Sequence, residues 1–452
     1  MRSSLSAAVM LVLGFTAASA MAAPGDLDTT FGASGVRTVT NGTFTSYSDV
    51  VRAAGSNGRY FAAGVTMSGT KIVPILTAFT EAGAVDTSFG TSGHFIDTSL
   101  PADVIGTSIT YGVYVPPMSQ ITLSYVYVVV TLPSDIVVYR YLVDNNGTWT
   151  GALSWKTTVH FDGGGVADLA AIWAPNNSFS ASSYIVVAGA GKQTVGGVQQ
   201  GVFLKIGHTD GALLTSWGTG GRKYVSVGTT ATQFRALSVT GSDYCAVGRM
   251  KSGSAPLDAT VVCVTASTGA LDTNFDGDGI KTWNWGDATY NQVSGRSVFF
   301  DFGSPGKLTV AANLCNSTSG ICHVGLARFS MTGAFDTTFS GDGLAHLDLG
   351  GGGTNIANPR ILVYGASRYM LAGQKWDSTR TTMDRFLFSF TASGAADSTF
   401  GSAGQRTFSA VSTGLEGYGG MIYSYTSTKL IVAGDRDSGS NVLGILARHN
   451  MN

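Results

Sequence analysis

The side chains able to do chemistry are arginines, aspartates and cysteines. Four arginines, Arg52, Arg235, Arg296 and Arg360, stand at comparable places in apolar segments (VVRAAG, FRALSV, GRSVFF and RILVYG). Guanidiniums gathered around one cleft would attract an anionic ligand, because charges lining a cleft concentrate the opposite sign there. The competing structural role is for each to bond a carbonyl or an acid of a neighbouring segment. Beside acids such as Asp49 or Asp162, the same arginines would suit a lyase, hydrolase or lactonase acting on a polar or anionic substrate.

Five aspartates, Asp28, Asp86, Asp272, Asp336 and Asp397, share one local setting: each lies three residues before an aromatic residue. A carboxylate there accepts hydrogen bonds from backbone N–H groups just downstream and fixes a turn. Two of these settings carry extra acids. Asp272, Asn274, Asp276, Gly277 and Asp278 read D-x-N-x-D-G-D, the beginning of a calcium loop, and Asp342 marks the second. Calcium takes six to eight oxygens, and an EF-hand loop ends in glutamate at its twelfth position. Trp283 stands there. Asp272, Asp276, Asp278 and Asp342 are therefore candidates only for a surface calcium site, and no other cofactor is implied.

The four cysteines form two local pairs. Cys245 and Cys263 lie on successive strand-like segments, equidistant from residue 254, and Cys315 and Cys322 flank a short loop. Simple hairpins would place them opposite one another, so the expected disulfides are Cys245–Cys263 and Cys315–Cys322. No CxxC spacing points to zinc or redox chemistry. Neither H-E-x-x-H nor G-x-S-x-G occurs. The run Gly189 to Gln193 (GAGKQ) misses a phosphate loop, with Val186 in place of the first glycine and Gln193 in place of the hydroxyl residue. The six histidines are scattered. Trp173, Trp283, Trp285 and the segment 422–425 offer a carbohydrate surface, but alternating aromatics also serve packing, the preferred reading.

These residues are positioned by a repeat. A phrase reading GDLDTTFGASG at residue 25 returns at 83, 211, 269, 333 and 394, with a degenerate copy, GALSWKTTVHF, at 151. The units are about 60 residues long, and each holds four short β segments bounded by Gly, Asn, Asp and Ser turns. No sustained helical period is present. Seven units of four strands predict an all-β fold, a seven-bladed β-propeller spanning residues 24–452. The strand after each phrase should be the outermost of the preceding blade. Residues Gly35–Thr40 should then pair with Gly444–Asn450 and close the ring. The four arginines fall on the innermost strands, at a channel mouth lined by the blade-to-blade loops 40–49, 97–106, 160–168, 227–233, 284–294, 348–358 and 409–419.

The phrase G-x-x-D-x-x-F-G-x-x-G at this period resembles the bacterial exported delta-60 repeat proteins. The strand–turn–strand–AG pattern is more distantly similar to NHL-type propeller repeats. The resemblance covers residues 25–452 and implies a propeller and export, without any particular activity.

Composition agrees. Of 452 residues, 61 are glycine and 12% are charged, with a net charge of -1. No basic block exists to bind nucleic acid by counterion release. Residues 1–23 read as a signal peptide: Arg2, an apolar core at 7–18 and small residues at Ala18-Ser19-Ala20 and Ala20-Met21-Ala22. The apolar core is too short to span a bilayer. The expectation is a secreted or periplasmic monomer without a transmembrane segment, a binding or scaffold module for a polar ligand or protein partner, with the propeller enzyme as the alternative.

Overall fold

The structure is a computed structural model that describes residues 23–53, 58–115, 121–166, 170–175, 183–286, 289–303, 306–347, 354–355, 361–364, 368–376, 382–408, 416–424 and 428–451. Arg360 and residues 1–22 of the expected signal peptide lie outside the described residues. Every regular element described is a β-strand. The strands form seven antiparallel sheets, the blades of a seven-bladed propeller. Blade 1 runs Thr45–Ala53, Arg59–Ser68, Lys71–Phe79 and His94–Ile96 from inside to outside. The other blades repeat that order, and in blade 6 the described residues of the inner strand are Thr354–Asn355 and Leu362–Tyr364. No helix among the described residues is long and apolar enough to cross a membrane.

The ring closes as the repeat predicts. Val36–Val39 is the outer strand of blade 7, pairing Val36 with Ala447 and Val39 with Gly444. Both cysteine pairs are disulfides joining directly opposed residues of the second and third strands of blades 4 and 5. Middle strands are buried on both faces, as in Lys71–Phe79, whereas outer strands such as Leu344–Leu347 are partly exposed. Apolar clusters lie between blades: Phe61, Ala78 and Phe89 of blade 1 meet Ile109, Val128 and Tyr141 of blade 2. Sheets covered on both faces require nearly continuous apolar strands.

Each glycine phrase forms a corner between the third and outer strands. Oδ1 of Asp28, Asp86, Asp272, Asp336 and Asp397 accepts the N–H two residues on, at 3.0–3.2 Å. Phe31, Phe89, Phe339 and Phe400, each three positions after its aspartate, reach into the next blade and pack on the glycine that opens its phrase. A Cβ on Gly83, at φ +83°, would lie 2.7 Å from the Phe31 ring, so this contact requires glycine.

A cation completes most corners. In blade 5, Arg328 donates from Nε to Asp336 Oδ2 at 2.7 Å, bonds the carbonyl of Ala392 in blade 6 and lies 4.8 Å over the Phe339 ring. In blade 7, Arg448 does the same with Asp28 at 2.8 Å, the Glu81 carbonyl and Phe31. Lys307 and Lys429 reach the same two carboxylates from the second strands.

The degenerate phrase at 151 departs from this plan. Its residues belong to one long outer strand, Thr148–His160, joined to the third strand by a tight turn with Asn146 and Gly147 at positive φ. Without the aspartate and the Phe-Gly pair there is no corner to form, so the chain continues as a hairpin.

Candidate functional site

The blades surround a central channel, and β-bulges interrupt several of the inner strands that line it. An extra residue interrupts the inner strand of blade 1 between Tyr47 and Asp49, of blade 4 between Phe234 and Ala236, and of blade 5 between Gly295 and Ser297. The bulged residues are Ser48, Arg235 and Arg296. A bulge re-aims a side chain out of the strand's alternation, and here it puts two guanidiniums at the channel. The small residues of the AG pattern allow it: a Cβ on Gly248 would lie 1.8 Å from the Gln233 carbonyl beside the Arg235 bulge.

Two chambers meet at these arginines. The chamber on the blade-to-blade loop side holds about 240 Å³ and includes Ser46, Ser48, Thr107, Gln374 and Asp435. The chamber on the opposite side, where the corners and the inner hairpin turns lie, holds about 540 Å³. Arg235 and Arg296 line both. The expected mouth is thus the smaller of the two, and the larger opens toward the other face.

The electrostatics at this waist are one-sided. Arg235 is buried at 4% exposure and donates to Ser294 Oγ at 3.0 Å. Burial, together with the charges of Arg296 and Arg249, holds its guanidinium well below the ordinary arginine value. Burial, then the Arg249 charge, pulls Arg296 down to about 10. Among the described residues the Arg296 guanidinium makes no hydrogen bond or ion pair, and its Nε is buried. Arg249, behind them, donates to Gln233 Oε1 at 2.7 Å.

Asp49 lines the larger chamber and is 2% exposed. Its Oδ1 accepts the Val50 N–H, and its Oδ2 accepts the Ser108 hydroxyl at 2.9 Å and the Ile109 N–H at 3.2 Å. Asp49 thereby ties blade 1 to blade 2. Asp162 is exposed and lines neither chamber.

Arg52 is not at the channel waist. It lies near the far end of its strand, opposite Tyr60, and pairs with Glu81 at 3.3 Å. Inner hairpins of unequal length explain the difference. Blade 1 leaves residues 54–58 between its first two strands and blade 4 only 240–242, so positions counted from the turn do not coincide. The bulge position, which aligns Ser48 with Arg235 and Arg296, has no signature in the residues themselves.

The calcium candidates serve turns. Asp272 accepts from Asn274, Asp276 pairs with Lys281 at 2.9 Å, Asp278 accepts the Ile280 N–H, and Asp342 accepts the Leu344 N–H. Among the described residues no group of three or more His, Cys, Asp or Glu side chains could hold a metal ion. Trp283 is buried against Phe329, ring centroids 4.9 Å apart. The histidines are not all isolated: His323 Nδ1 and His346 Nε2 lie 2.9 Å apart, and Tyr290 meets His323 Nε2 at 2.9 Å. That grouping spans two strands and a loop, and no local pattern announces it.

No protein-family profile matches the chain, and no curated protein matches it. Among solved structures it is similar to a chain of the Drosophila Plexin A complex with Semaphorin 1b (10% identity, 91% of this chain and 88% of that chain, TM-score 0.42). It is also similar to the α-L-arabinofuranosidase Arb93A of Fusarium graminearum with an iminosugar inhibitor (10% identity, 91% and 98% covered, TM-score 0.40). A third is the sialidase of Trypanosoma rangeli with the inhibitor DANA (8% identity, 92% and 59% covered, TM-score 0.37). At these scores the likenesses carry no argument, and the fold assignment rests on the strand pairing itself.

Proposed function

We propose that this protein is an exported binding module that captures an anionic small molecule in its central channel. One observation carries the reading: Arg235 and Arg296 face the same space, with Arg249 behind, and among the described residues the Arg296 guanidinium has no acceptor. Like charges gathered at a partly desolvated site disfavour the empty state, and an anion supplies the missing charge and an acceptor for Arg296. Arginine suits the task because it stays charged and offers a planar fork of donors. Export rests on the signal-like residues 1–23, and the two disulfides are consistent with an oxidising compartment. A propeller enzyme would need a group free to exchange protons with substrate. Asp49, the acid lining the larger chamber, accepts three hydrogen bonds, two of which join blade 1 to blade 2, and this favours the binding reading.

Calorimetric titration of the mature chain with sodium sulfate and sodium phosphate tests this. The wild type should bind one anion per chain, and Arg296→Gln should abolish the heat without altering the circular dichroism spectrum. Equal binding by wild type and Arg296→Gln would reject the assignment.

A further inference from the structure

The larger chamber is built for more than charge. Beyond the arginines its wall is largely apolar and aromatic, with Trp173 of blade 3, Leu237 and Tyr244 of blade 4, and Phe299, Phe300 and Phe302 of blade 5. The hydroxyls set among them already accept bonds between blades: Ser238 Oγ from the Phe300 N–H at 3.1 Å and Ser297 Oγ from the Ile361 N–H at 2.9 Å. Phe302 is 76% exposed, and its ring stands edge-on to Phe300 at 4.6 Å. A single exposed phenylalanine is ordinary, but one continuous with a buried aromatic wall extends an apolar binding surface to the rim. The volume of about 540 Å³ lies within the range of small-molecule sites.

We infer that the channel takes an amphipathic organic anion, a carboxylate or sulfonate on an aromatic body, with its head at Arg235 and Arg296 and its ring in the larger chamber. This rests on the anion-site reading above. An inorganic anion would satisfy the guanidiniums and leave the aromatic wall wet. A neutral apolar molecule would fill the wall and strip water from the guanidiniums without replacing its hydrogen bonds. Only a ligand carrying both features answers both surfaces. The edge-on and tilted ring arrangements already present, Phe300 with Phe302 and Trp173 with Tyr244, are ones an additional flat ring can join.

The test compares three probes by calorimetry on the mature chain: naphthalene sulfonate, sodium sulfate as the head alone, and naphthyl methanol as the uncharged body. The sulfonate should bind about tenfold or more tightly than either of the others. Arg296→Gln should reduce it to the level of the alcohol. Phe302→Ser combined with Trp173→Leu should reduce it to the level of sulfate while leaving sulfate binding intact. Because Phe302 is exposed, Phe302→Ser alone leaves the core undisturbed and should give part of the same loss. Equal affinity for sulfate and naphthalene sulfonate, with both lost in Arg296→Gln, would overturn this inference and leave the anion site standing. Binding of naphthalene sulfonate that is insensitive to Arg296→Gln would overturn both.

Discussion

Arginine is buried or half-buried in two kinds of place in this propeller. At the blade corners, Arg328 and Arg448 each receive a carboxylate, a carbonyl of the next blade and an aromatic face. At the channel waist, Arg235 and Arg296 repel each other, and among the described residues Arg296 has no acceptor. The corner arrangement recurs because it holds one blade to the next. The waist arrangement breaks the repeat, and a costly departure from a repeated solution is where ligand chemistry is to be sought.

If the corners are structural, their removal should be the most damaging change. Asp336→Ala leaves Arg328 and Lys307 without their carboxylate at a buried site, and breaking a buried pair this way costs about 3 kcal/mol or more. Urea denaturation of the variant measures it. A loss near zero would mean that the corners are ornamental and the contrast with the waist empty.

Acid should dissolve the corners before it touches the waist. Burial alone would raise the Asp28 carboxyl, but hydrogen bonds from Thr30 and Lys429 and the Arg448 charge outweigh it and hold it at about 2. The Asp28 contribution is therefore fully present above the unfolded value and lost as pH falls from about 4 to about 2. His449 adds an earlier stretch. Burial lowers it from 6.5 to about 3, so it stays neutral in the fold while the unfolded chain takes up a proton. Stability should decline from about pH 6.5 downward, and again more steeply below about pH 4. The urea midpoint as a function of pH checks this, and Asp28→Asn should remove part of the lower stretch only.

Blade 3 offers a smaller test from the opposite direction. There Leu214 occupies the aspartate position, and Lys205 takes the place of the corner arginine. Its Nζ bonds the Ala266 carbonyl at 2.7 Å and lies 3.6 Å over the Tyr184 ring. Burial pulls this ammonium down to about 8. Leu214→Asp should restore the missing partner, return Lys205 toward its ordinary value and raise stability by about 1 kcal/mol. A loss of stability would mean that the carboxylate does not repay its own desolvation in this corner.

The corners were legible in the sequence because they are local. Asp28, Phe31 and Gly35 lie within one turn, and the turn's chemistry is contained in those residues. Ring closure was legible because Gly35–Thr40 is a strand without preceding partners. The cysteine pairs were legible because a hairpin opposes residues equidistant from its turn. The waist was only half legible. Arg235 and Arg296 stood out, but their depth in the channel depends on bulges, which depend on how the inner strands fit against Gly248 and its counterparts. The same counting placed Arg52 with them, whereas it sits near the corner face with Glu81. The bases at Arg59, Lys307, Arg368 and Lys429, which begin the second strands and reach the corner aspartates, do recur at one position. Comparison of the units would have found them.

The most direct test is a paired denaturation of Arg328→Gln and Arg296→Gln, each with and without sulfate. Arg328→Gln should lose about 3 kcal/mol and keep the wild-type stabilisation by sulfate. Arg296→Gln should be as stable as the wild type or more so without sulfate, and should gain nothing from it. If Arg296→Gln loses stability as Arg328→Gln does and sulfate still stabilises it, the waist is another structural contact and the channel holds no anion site.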